Sequence, residues 1–237
     1  MNVRVLDDAA AVAAAAAELV AAELGAAPPD APWTLVLAGG STPRRAYQLL
    51  AGWRSPLPWG RVTVLFGDER CVGPDDPESN YRLAADELLD RVRPGTVHRM
   101  AGELGPDEAA ARYDAVVRGL GPLDLVLLGM GPDGHTASLF PGHPAVEAQG
   151  CAVAVRGAPK PPPDRVSLTL PVLRAARRVV FVVTGADKAE AMSLAMAGQV
   201  PSGLIPNAEY LADRDAAGRL DVTLPPPVGE GDPGEWP

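Results

Sequence analysis

One segment of this 237-residue chain concentrates residues able to move a proton: GMGPDGHTASLFPG, residues 129–142. Histidine titrates near neutrality, which suits His135 to general-base work, and a carboxylate two residues away, Asp133, could set its tautomer or touch a substrate directly. Both stand in a glycine-rich loop after the apolar run Leu125-Val126-Leu127-Leu128, with a helix expected to start at Thr136. Gly129, Gly131 and Gly134 also satisfy the G-x-G-x-x-G spacing of a dinucleotide site, but that fingerprint needs an acidic residue ~20 positions on, where this chain reads CAVAVRG. A dehydrogenase fits poorly. His98 and His143 lack such a setting and read as structural histidines.

Other polar groups could bind an anion. In LAGGSTP, Gly40 lets the backbone approach a ligand, while Ser41, Thr42 and the amides opening the next helix can hold an anionic oxygen; a plain helix cap with Pro43 in the first turn is the structural alternative. GDER offers Asp68 and Arg70, the latter suited to bidentate contact with phosphate or carboxylate, against the alternative of a charged surface turn. Ser79-Asn80-Tyr81 could equally cap a helix. Arg165, before VSLTLPVL, and Lys188, at the start of a helix after TGADK, complete the set of candidate cations. No G-x-S-x-G elbow and no H-E-x-x-H occurs; Cys71 follows Arg70 directly and reads as inert.

These segments need a frame. Alanine-rich residues 7–24 form a helix, followed by the apolar runs Trp33-Thr34-Leu35-Val36-Leu37, Val62-Thr63-Val64-Leu65-Phe66, Leu125–Leu128 and Val179–Val183, each stopped by a glycine turn. Continuous apolar strands alternating with helices predict an α/β fold: an open, mostly parallel sheet with helices on both faces, Rossmann-like and three-layered. Ligands bind such sheets at the carboxyl ends of the strands, where every polar signal above falls. A small β excursion is expected around residues 150–170, at the APKPPPDR cluster. The domain expected is a single one over residues 1–224, followed by a flexible Pro/Gly-rich tail at 225–237.

Composition narrows the ligand class. A formal charge of −9 repels nucleic acid and acidic membrane surfaces, so an anionic ligand requires a local basic pocket. Two cysteines, Cys71 and Cys151, make neither a disulfide framework nor a zinc site. No signal-peptide pattern and no apolar run of the ~20 residues that span a bilayer stands out, so the expected location is cytoplasmic.

In order, LAGGSTP, GDERCV, SNYRLA, GMGPDGHTASLFPG, PKPPPDR and VTGADKAEAM resemble the 6-phosphogluconolactonase family, over residues 35–192; SGLIPNAEYLADRDAAG, nearer the C-terminus, fits that pattern loosely. The resemblance implies a fold shared with glucosamine-6-phosphate deaminases and ribose-5-phosphate isomerases. It also implies hydrolysis of 6-phospho-D-glucono-1,5-lactone to 6-phospho-D-gluconate in the oxidative pentose phosphate pathway, with no metal and no organic cofactor. Under it, His135 is the general base with Asp133 beside it, Lys188 and Arg165 are phosphate ligands, Ser41 and Thr42 lie in the phosphate-side turn, and Asp68 and Arg70 line the sugar end. The partner implied is a small phosphorylated sugar lactone, with no nucleic acid and no membrane. Two rivals are a deaminase, which in the family resemblance carries an asparagine-glutamate pair after the histidine where this chain has Thr136-Ala137, and a non-catalytic sugar-phosphate sensor.

Overall fold

A computed structural model describes residues 2–28 and 31–220. The tail expected at 225–237 lies outside the described residues. In chain order the elements are β1 (Asn2–Leu6), α1 (Ala9–Ala26), β2 (Trp33–Leu37), α2 (Ser41–Ala51), β3 (Val62–Phe66), β4 (Asp68–Arg70), α3 (Asn80–Ala84), which continues through a π-helical turn (Ala85–Leu89) into α4 (Asp90–Val92), β5 (Thr96–Val97), α5 (Pro106–Arg118), β6 (Leu125–Gly129), β7 (Ala152–Val155), β8 (Arg165–Leu168), α6 (Leu170–Ala175), β9 (Arg178–Val183), α7 (Ala189–Met196) and β10 (Glu209–Asp213).

Seven strands form one sheet in the order β1-β10-β9-β6-β2-β3-β5, every pair parallel. Side chains alternate across a strand, so each buried strand serves two cores. Leu35, Leu37, Val64, Phe66, Leu125, Leu127, Val180 and Val182 face α1, α2 and α3; Val36, Leu65, Val126, Leu128, Phe181 and Val183 face α5, α6 and α7. This is the three-layer α/β arrangement expected from the apolar runs. The chain progresses from β2 toward β3 on one side and from β6 toward β9 on the other, so the order reverses between β6 and β2. A crevice opens at such a reversal, at the carboxyl ends of the strands.

The β excursion exists and is larger than its own segment. β7 and β8 pair antiparallel, and β4 joins β8 to make a separate three-stranded sheet. GDER is therefore a strand and not a charged surface turn: Glu69 and Asp68 are buried. The loosely fitting C-terminal segment contains β10, which lies between β1 and β9. Helix α1, 18 residues at mean hydropathy 1.6, has the length and composition of a membrane-crossing helix. Its Val12, Ala13, Ala16, Val20 and Leu24 instead pack into the core against α2 and the sheet.

Two tyrosine hydroxyls finish the central strands beneath the crevice. Tyr47 Oη accepts from Ala38 N at 2.9 Å and donates to Ala38 O at 2.7 Å, and Tyr113 Oη does the same for Phe66 at 2.8 and 3.1 Å. Buried backbone groups that leave a ladder need such partners.

Candidate active site

His135 belongs to a tight loop after β6. Gly131 N donates to His135 O at 2.9 Å and Gly134 N donates to Gly131 O at 2.9 Å, closing the turn. A Cβ on Gly131 would stand 2.0 Å from His135 Nδ1 and 2.6 Å from Asp133 Oδ1, so the two side chains pack where only glycine leaves room. The glycine spacing thus serves a histidine turn, not a dinucleotide. No helix starts at Thr136: Thr136 Oγ1 donates to Gly129 O at 3.0 Å, Leu139 N donates to Thr136 O at 2.9 Å, and Ala137 takes φ 47°. These bonds fold 136–139 into a turn that a helix would break.

His135 Nδ1 lies 2.5 Å from Asp133 Oδ1. A carboxylate can only accept, so the neutral ring carries its proton on Nδ1 and presents Nε2 as a lone pair. Burial pulls the imidazole below its ordinary value, and the Asp133 hydrogen bond and charge, which act upward, do not reverse that. Burial thus favours the neutral ring, and the Asp133 hydrogen bond leaves Nε2 as its unprotonated nitrogen. Burial alone would raise the Asp133 carboxyl; the hydrogen bond and charge of His135, with Lys160 behind them, hold it below the usual value. The ring also packs on Phe140, centroid to centroid 4.5 Å.

Two adjoining cavities meet at this ring. An inner one of about 190 Å³ is lined by Asp68, Arg70, Asn80, Ala137 and Arg165 among others, and an outer one of about 510 Å³ by Gly40, Ser41, Thr42, Lys160, Thr184, Asp187 and Lys188; His135, Arg70 and Arg165 line both. The candidate residues that follow β2, β3, β6 and β9 are therefore gathered in one place with Arg165 from the start of β8, Asp133 joining them through His135.

Their states differ. α2 begins at Ser41 with Gly40, at φ 113°, as its N-cap and no side-chain cap, so neither Ser41 nor Thr42 caps the helix. Its first amides stand at the outer cavity, with Thr42 Oγ1 2.7 Å from Thr184 Oγ1. Asp68 is buried; its Oδ2 accepts from Ser138 Oγ at 2.6 Å and its Oδ1 from Asn80 Nδ2 at 3.1 Å. A Cβ on Gly39 would fall 2.0 Å from Asn80 Oδ1, so Gly39 gives Asn80 access to the crevice. The Arg70 guanidinium is held by the carbonyl and carboxylate of Glu78, leaving its buried Nε without a partner among the described residues. Lys188 pairs with Asp187. Arg165, expected as a phosphate ligand, spends its Nε and Nη2 on the carbonyls of Pro162, Lys160 and Pro161.

Sequence reasoning gave no role to Lys160, inside APKPPPDR, or to Thr184 and Asp187; a lysine within a proline cluster carries no signal until the fold brings its loop beside Asp133 and the outer cavity. Asn80 was visible only as part of a possible cap, and Ser79 does cap α3, accepting from Arg82 N at 3.1 Å. His143 is structural, as expected: its Nδ1 accepts from Ala145 N. Burial pushes the Cys71 thiol up to about 11, with Asp164 and Glu69 adding to it, which leaves it unreactive. Among the described residues no group of three or more His, Cys, Asp or Glu side chains is gathered as a metal centre requires.

Comparison with known proteins bears on this geometry. The family model for glucosamine-6-phosphate isomerases/6-phosphogluconolactonase matches residues 7–214. A 6-phosphogluconolactonase of Streptomyces coelicolor is 39% identical over 241 residues, spanning 91% of this chain and 92% of its own. The solved structure of 6-phosphogluconolactonase from Leishmania guyanensis is 25% identical with a TM-score of 0.84, covering 93% of this chain and 99% of its own. A monomeric glucosamine-6-phosphate deaminase, 24% identical with a TM-score of 0.81 over 92% of this chain and 100% of its own, shares the fold.

Proposed function

The chain belongs to the glucosamine-6-phosphate isomerase/6-phosphogluconolactonase family, and from that premise we propose that it hydrolyses 6-phospho-D-glucono-1,5-lactone to 6-phospho-D-gluconate, with His135 as general base. The observation that carries the reading is the His135–Asp133 pair, whose ring lines both cavities together with cationic side chains and the start of α2, in a chain of net charge −9.

The phosphate enters the outer cavity, where the α2 amides, Ser41, Thr42 and Lys188 offer donors. The lactone ring reaches the inner cavity beside Asp68, Asn80 and Arg70. A water between Nε2 and the lactone carbonyl gives its proton to His135 as its oxygen bonds to the carbonyl carbon. Negative charge moves onto the carbonyl oxygen, where Arg70 or loop amides stabilise it. Collapse breaks the bond to the ring oxygen, which takes the proton back from His135; the product is an acid and a free hydroxyl. A δ-lactone is an activated ester, so base catalysis of about 10²–10⁴-fold together with positioning through the phosphate suffices, without covalent intermediate or metal.

Acid release from the phosphorylated lactone, followed in a pH-stat against the spontaneous background, tests the reading, with ammonia release from glucosamine 6-phosphate followed in parallel. Enzymatic lactone opening without ammonia is expected. Ammonia release, or binding of sugar phosphates with turnover of neither substrate, overturns it in favour of a deaminase or a sensor.

A further inference from the structure

This inference rests on the lactonase reading above and concerns how the anionic end of the substrate is connected to the chemistry. Lys160 Nζ lies 3.8 Å from Asp133 Oδ1, the same oxygen that holds His135 Nδ1. At that separation it makes a charge contact beyond hydrogen-bond length. The Lys188 ammonium, by contrast, is hydrogen-bonded to Asp187. Both line the outer cavity, but Lys160 alone also touches the catalytic pair, and its side chain is 42% exposed, free to turn toward an arriving anion.

The backbone beneath Lys160 is fixed by Arg165. Its Nη2 donates to Lys160 O at 3.0 Å and Pro161 O at 3.1 Å, and its Nε donates to Pro162 O at 2.9 Å. Its remaining Nη1 faces Asp68 Oδ2 at 4.0 Å, and the guanidinium lies 5.6 Å over the Phe140 ring, which packs on His135. Bidentate capture of a phosphate by this 4%-exposed residue would require stripping those carbonyls of their donors.

We propose that Lys160 is a specificity-determining residue that links the substrate's phosphate to the His135–Asp133 pair, and that Arg165 is a positioning residue holding Lys160 in place rather than a phosphate ligand. When the phosphate draws Lys160 away, the Asp133 carboxylate is left to His135 alone and stabilises the imidazolium that forms as water is deprotonated. Phosphate then raises the rate of the chemical step besides tightening binding. An unphosphorylated lactone leaves Lys160 on Asp133.

The test compares kcat and KM for 6-phosphogluconolactone and for glucono-1,5-lactone in the full chain, in Lys160→Met, in Arg165→Lys and in the double variant. The ratio of the two kcat/KM values is the readout, since a general loss of structure lowers both and leaves their ratio. Lys160→Met is expected to lower the ratio about tenfold or more, the scale of one charge-assisted hydrogen bond, with part of the loss in kcat. Arg165→Lys, which keeps a cation but cannot span three carbonyls, is expected to lower it as well, and the double variant to match Lys160→Met. A ratio that stays within about twofold of the parent's in Lys160→Met overturns the proposal, as does a double variant whose loss is the product of the two single losses. A parent protein that opens neither lactone removes the lactonase reading itself; a parent that prefers the phosphorylated lactone, with Lys160→Met keeping that preference, removes only this inference.

Discussion

A histidine serves as a general base only while its ring is neutral and one nitrogen keeps its lone pair; for the role proposed for His135, burial favours the neutral ring and the Asp133 hydrogen bond leaves that lone pair on Nε2. His135→Ala is expected to lower kcat by about 10²–10⁴-fold while KM changes little, because the phosphate contacts lie elsewhere; turnover equal to the parent's in background-corrected assays removes His135 from the mechanism. The active form is the unprotonated ring, so kcat/KM should rise with pH through the free-enzyme pKa of His135 and then level. Burial moves that value down, which puts the midpoint of the acid limb below the ordinary ~6.5. In Asp133→Asn the carboxylate that pushes the pKa up is gone, so the limb should shift further toward acid while the plateau falls for want of an oriented ring. A limb that moves toward base contradicts this electrostatic assignment. His135 and Asp133 were legible in the sequence because two residues of one loop carry the pairing. Lys160 was not, because its partner lies 27 positions away on another loop.

At the scale of elements, the junction of β4 with α3 places Asp68, Arg70 and Asn80. Buried Glu69 makes that junction, accepting from Arg70 N at 2.8 Å, Ser79 Oγ at 2.9 Å, Asn80 N at 2.8 Å and Tyr81 N at 2.7 Å. Burial raises its carboxyl pKa, and these four donors offset part of the rise. Glu69→Gln turns an amide donor toward groups that need an acceptor and is expected to cost about 1–3 kcal/mol in urea unfolding with an unchanged m-value, together with a raised KM. Stability equal to the parent's would show that the junction does not depend on this carboxylate. β2, β3, β6 and β9 could be read from the sequence because their apolar runs have no reason to exist outside a doubly covered sheet. β4 could not: Asp68-Glu69-Arg70 looks like a surface turn until α3 and β8 bring the partners that let charges enter a buried strand.

For the whole molecule, a net charge of −9 surrounds a crevice that holds Arg70, Lys160, Arg165 and Lys188. The long-range field repels an extended polyanion, whose charge cannot all enter the crevice, whereas a compact dianion reaches the basic walls and the α2 amides. Inorganic phosphate is therefore expected to inhibit lactone opening competitively, and heparin at equal charge concentration to inhibit far less; the reverse order would place the anion site on the outer surface. By itself the sequence determined the layered α/β scheme, the strand ends as the place where the polar groups gather, and the pairing of His135 with Asp133, because hydrophobic runs, glycine turns and short spacings act within a few residues along the chain. Only the tertiary structure decided that β4 and β8 share a sheet, that residues 136–139 turn instead of starting a helix, and that Arg165 is occupied while Lys160 faces Asp133. Those outcomes rest on which distant carbonyls and carboxylates a side chain meets, and that is set by how the strands are ordered and not by their sequence neighbours.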